Sequence, residues 1–90
     1  MISSHKAKGG LIKLELTVEN ARMENIKITG DFFIYPEDAL FNLERRLKGK
    51  TEDEAIKLAE EFLNNVEAPG IELKDFKTVF KKAFEGNNVV

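Results

Sequence analysis

Three lysines, Lys6, Lys8 and Lys13, surround the pair Gly9-Gly10 in the stretch HKAKGGLIK and form a local basic cluster. Paired glycines let a backbone approach a bound group closely, and nearby ammonium groups offset phosphate or carboxylate charge. The spacing is not that of a Walker loop and no helix follows. A flexible lead-in with solvated lysines is therefore the plain alternative. The single histidine, His5, has no carboxylate or cysteine beside it to make a nucleophile–base pair with Ser3 or Ser4, and it reads as an ordinary surface residue. The carboxylates of TEDE (residues 51–54) and of Glu60-Glu61 fall on the polar face of an amphipathic segment, where solvation is a simpler role than metal binding. Lys74, Lys77, Lys81 and Lys82 line the outer side of a C-terminal helical pattern, as a face for an acidic partner or as ordinary solvated surface. With no cysteine there is no thiol nucleophile, thiolate metal site or disulfide framework.

The elements that must position these residues follow from periodicity. LIKLELTV alternates, with Ile12, Leu14, Leu16 and Val18 on one face and Lys13, Glu15 and Thr17 on the other, which predicts a half-buried strand. ENAR turns the chain, although Ala21 tolerates positive φ less well than glycine. A second strand returns over MENIKITGDFFI. Ile26, Ile28, Phe32 and Ile34 take the core face, with Gly30 a gap in it, and Met23, Lys27, Thr29, Asp31 and Phe33 take the other. ISSHKA is either a mobile N-terminus or a third strand.

From Pro36 the period lengthens. Pro36 suits a first helical position, Leu40, Leu43 and Leu47 make a stripe, and Gly49 stops the helix. Thr51 and Glu54 form a capping box for a second helix carrying Ala55, Leu58, Ala59, Phe62, Leu63 and Val66. A third helix over residues 73–84 carries Leu73, Phe76, Phe80 and Phe84, with Val79 and Ala83 adjoining. Strands followed by helices predict an α+β fold, a small antiparallel sheet of two or three strands with about three helices on one face.

Ninety residues, 42% hydrophobic and 33% charged, make one domain, with residues 1–8 flexible, 10–35 a hairpin and 36–86 helical. No apolar run approaches the roughly 20 residues of a membrane span, and no signal-peptide core precedes the first strand, which points to the cytoplasm. A net charge of −2 and a pI of about 5.5 argue against a general nucleic-acid binder.

A sheet with helices on one side leaves its other side open, and Phe33 and Met23 both fall there. An aromatic ring on an open face suggests a contact surface. The free-standing form of that idea is a non-enzymatic interaction module, simplest as a homodimer through the open face.

GGLIKLELTVEN followed by IKITGDFFIYPEDALFNLERRLKG resembles the C-terminal accessory domain of lipoate–protein ligases, which in some archaea is a separate small chain. Lys6, Gly9 and Gly10 match the family's glycine loop, while Lys8 stands at its usual proline, Leu11 at its usual lysine and Ala21 at its turn glycine. The resemblance implies a heterodimer with a catalytic large subunit that binds lipoate and ATP with magnesium, forms lipoyl-adenylate and transfers the lipoyl group to a lysine of an acceptor. Such acceptors are lipoyl domains of 2-oxoacid dehydrogenases or the glycine-cleavage H protein. The accessory chain serves the adenylation half more than the transfer, with no catalytic residue, metal or cofactor of its own. Lys6, Lys8, Gly9 and Gly10 are then expected near the nucleotide, and Met23, Thr29, Asp31 and Phe33 at the interface. Without cysteine, the sulfur-transfer and iron–sulfur roles of similar folds are excluded.

Overall fold

The computed structural model of the protein describes residues 2–87. Met1 and residues 88–90, which the expected domain span also includes, lie outside them. Three strands, β1 (Ile2–Ala7), β2 (Gly10–Glu19) and β3 (Arg22–Phe32), form an antiparallel sheet in that order. Three helices follow, α1 (Ala39–Leu47), α2 (Glu52–Asn64) and α3 (Leu73–Asn87). The expectation of a flexible stretch over residues 1–8 is corrected for residues 2–7, which form β1, the third strand that the sequence also allows. They are paired from Ile2↔Glu15 to Ala7↔Gly10 because the antiparallel ladder with β2 satisfies their backbone groups.

Alternation buries Ile12, Leu14 and Leu16 on β2 and Ile28 on β3. Against this face, α3 packs on β1 and β2, α1 on β3, and α2 on α1 and α3. Phe76 and Phe80 fill the centre, and the Phe62 ring meets Phe76 edge-on at 6.0 Å. Asn20 and Ala21 close the β2–β3 hairpin at positive φ, +53° and +64°, the backbone that a tight hairpin requires.

Two further expectations are corrected. Met23 is fully buried in the core and is not on the open face. The register steps from Thr17↔Asn25 to Val18↔Met23, so Glu24 is an extra residue, and a bulge of one residue inverts which face the strand's first residues take. The Met23 backbone also pairs with the α1–α2 connection, donating to the Lys50 carbonyl at 2.9 Å and accepting from Gly49 N–H at 2.7 Å.

The second correction concerns Pro36, which lies in a turn before the helix. Tyr35 is held extended by two backbone hydrogen bonds with Glu67, 2.9 and 2.8 Å, and the Tyr35-Pro36 peptide is cis. The Pro36 carbonyl then accepts from Ala39 N–H, and α1 begins there. At its other end α1 ends at Leu47, and Lys48-Gly49, with Gly49 at φ +82°, form a turn closed by Lys50 N–H donating to the Leu47 carbonyl at 3.0 Å. The capping box of α2 forms as its sequence predicts.

Candidate functional site

The strand register gathers most of the expected site residues onto one end of the open sheet face. Lys6 on β1, Leu11 on β2 and Asp31 on β3 stand in one cross-strand row. Ser4, Lys13 and Thr29 form the next row, and Ile2, Glu15 and Lys27 the one after. Phe33 follows the end of β3 and is 61% exposed. Lys6 and Asp31 lie two strand spacings apart, roughly 10 Å, with the side chain of Leu11 between them. Among the described residues neither Lys6, Lys8 nor Asp31 has an ion-pair partner, so their charges are available to another molecule.

Thr29 and Asp31 are therefore brought together, Phe33 follows just beyond the paired register, and Met23 is not among them. The two glycines are also placed differently from a ligand cradle. A Cβ on Gly9 would collide with the Pro69 carbonyl, and one on Gly10, at φ +135°, with that of Asp31. Both glycines admit the chain's own backbone, and Gly9 N–H donates to the Gly70 carbonyl at 3.0 Å. The turn that carries Lys8 is thus docked on the 69–70 turn, which fixes where the lysines stand.

His5 is not an ordinary surface residue. Its ring is half-buried, and Nε2 lies 2.7 Å from Oδ1 of Asp75, a carboxylate with 5% of its surface exposed. The two are separated by 70 residues, so no local pattern links them. Leu11 and Phe41 are further exposed apolar residues, neither of them among the expected site residues. Parity alone would have found Leu11, since it alternates with Lys13, and Phe41 lies off the Leu40–Leu43–Leu47 stripe. Among the described residues no three His, Asp or Glu side chains gather to hold a metal ion, and no helix is long and apolar enough to cross a membrane.

Against this geometry, the chain is similar to known proteins along most of its length. Residues 1–80 match the family described as bacterial lipoate protein ligase C-terminus. Lipoate-protein ligase A subunit 2 of Thermoplasma acidophilum is 40% identical over 72 residues, covering 79% of this chain and 77% of the relative. A chain in the solved structure of an archaeal lipoylation system from the same organism, a bi-partite lipoate protein ligase and its E2 lipoyl domain, superposes with a TM-score of 0.83. It is 36% identical and covers 89% of this chain and 92% of its own.

Proposed function

The chain belongs to the lipoate protein ligase C-terminal family, and we propose that it is the accessory subunit of a two-part lipoate–protein ligase. Its likeness to a second-subunit chain along most of both lengths carries this reading. The partner is the catalytic large subunit, on which we place lipoate, ATP and the nucleotide's magnesium. There the lipoate carboxylate attacks the α-phosphorus of ATP and pyrophosphate leaves. In the second half a lysine amine of the acceptor domain attacks the acyl carbon and AMP leaves.

This chain supplies no bond-making residue. Its part is to close over the adenylation site and to bring charge. The turn that carries Lys8, with Lys6 beside it, faces the nucleotide, where an ammonium offsets the negative charge that builds as the adenylate forms and pyrophosphate departs. Gly9 and Gly10 serve by holding that turn against the 69–70 loop and β3. Thr29, Asp31 and Phe33, with Leu11, contribute the docking surface; the exposed ring supplies apolar area and Asp31 a charge for a partner cation.

Purified chain mixed with the catalytic subunit, lipoate and Mg-ATP should release pyrophosphate in a lipoate-dependent manner, and each chain alone should not. An equal rate from the catalytic subunit alone would overturn the reading. The double variant Lys6→Ala, Lys8→Ala should form the heterodimer but slow pyrophosphate release about tenfold or more, the scale of losing a preorganised charge at a reaction centre.

A further inference from the structure

Strand β1 is stitched to α3 in matched antiparallel register. Ser3 Oγ donates to the Val79 carbonyl at 2.9 Å, and His5 Nε2 meets Asp75 Oδ1 at 2.7 Å. Two strand residues advance about 6.6 Å and four helix residues about 6 Å, so the two ties fall in step along both axes. The following contact down the chain is backbone, Gly9 N–H to the Gly70 carbonyl. The His5–Asp75 pair is therefore the last side-chain tie before the segment 6–10. Asp75 is fully engaged, since its other oxygen accepts from Glu72 N–H at 2.8 Å at the start of α3. The pair also lines a cavity of about 270 Å³ whose rim carries Lys6, Lys8 and Lys74.

We propose that His5 and Asp75 are positioning residues for the adenylation half-reaction. Resting on the accessory-subunit reading above, the pair locks the end of β1 to α3 so that Lys6 and Lys8 are presented to the nucleotide at a fixed height. Neither residue touches the reacting atoms. Without this tie the segment is held by backbone contacts alone, the β1–β2 ladder and the Gly9–Gly70 bond, and the lysines shift by about an ångström. A misplacement of that size costs on the order of a hundredfold where geometry sets the rate.

The experiment uses the assembled two-chain enzyme. His5→Leu removes the donor. His5→Gln restores one near the position of Nε2, and Asp75→Asn weakens the tie from the other side. His5→Leu and Asp75→Asn should lower kcat for lipoate-dependent pyrophosphate release about ten- to a hundredfold. Heterodimer affinity should stay within about twofold, and transfer from supplied lipoyl-adenylate should be unaffected, because the pair acts only on the step that the lysines serve. His5→Gln should recover most of the rate. Wild-type pyrophosphate release by His5→Leu and Asp75→Asn in folded heterodimers overturns the proposal, as does an equal loss in both half-reactions. Absence of pyrophosphate release from the wild-type pair overturns the subunit reading itself and this proposal with it.

Discussion

Phe33 leaves 61% of its surface in water just past the end of β3, two residues after Asp31. In the proposed docking surface its contribution is to binding. Phe33→Ser should weaken the heterodimer at least about tenfold, as loss of an aromatic anchor does, while the melting temperature of the isolated chain stays nearly unchanged. Calorimetric titration against the catalytic subunit checks the first point and thermal denaturation the second. Met23 gives the opposite pair of results. Met23→Ala opens a cavity in the core and should cost about 2–5 kcal/mol of stability. The two residues look alike in an alternating pattern because alternation assumes an unbroken ladder. One extra residue at Glu24 inverts the face of Met23, and no local propensity marks where a ladder will bulge. His5 was hidden for a different reason, since its partner lies 70 residues away. Gly9 was legible as special, but the group that approaches it is the Pro69 carbonyl, which only the fold brings there. Gly9→Ala should destabilise the chain by about 1–3 kcal/mol through that overpacking, read as a lower midpoint in urea.

At the scale of elements, α2 was the most legible because its start is written locally. Glu54 N–H donates to Thr51 Oγ1, and Thr51 N–H donates to Glu54 Oε1 at 3.0 Å. Thr51→Ala should cost about 1 kcal/mol and lower the melting temperature by roughly 4–8 °C in a domain of this size. The Glu54 carboxyl is held below its ordinary value, chiefly by the Thr51 backbone hydrogen bond and then by its hydroxyl, with Arg22 and Lys50 adding to the effect. A depressed folded value means that the ionised form stabilises the fold above the ordinary carboxylate range, and that this is lost as pH falls through the depressed value. Glu54→Gln should therefore melt below wild type at neutral pH, and the gap should close in acid. A gap that persists in acid would show that the lost interaction is not ionic. By contrast α1 starts three residues later than its proline suggests, because Tyr35 is claimed by an extended pairing with Glu67. The competing partner is again remote in sequence. Periodic stripes are visible one helix at a time; starts fixed by tertiary contacts are not.

Among the described residues the molecule is a one-sided sandwich, helices on one face of a three-stranded sheet and no element packed on the other. A standard interface buries about 800 Å² per partner, which is about a seventh of the 5669 Å² that this chain exposes. Either side of the molecule has room for such an interface, but their residues differ. The open face carries Ile2, Leu11 and Phe33 among Lys6, Lys13, Lys27 and Asp31, a mixture of apolar area and charge aligned in rows. The helical side presents Phe41, an exposed ring set among Glu44, Arg45 and Lys48, and Tyr35 is as exposed just before α1. Hydroxyl-radical footprinting separates the two, because leucine and phenylalanine side chains lose reactivity when covered. On addition of the catalytic subunit, Leu11 and Phe33 should become protected severalfold while Phe41 keeps its free-chain rate. Protection of Phe41 with Phe33 still reactive would place the partner on the helices. Lys6 and Lys8 would then be carried away from it, and the charge-offset role of the turn would fall along with the docking surface. Protection of Leu11 and Phe33 in the isolated chain, growing with its own concentration, would instead mark a homodimer through the open face, with the heterodimer forced to compete for the same side of the sheet.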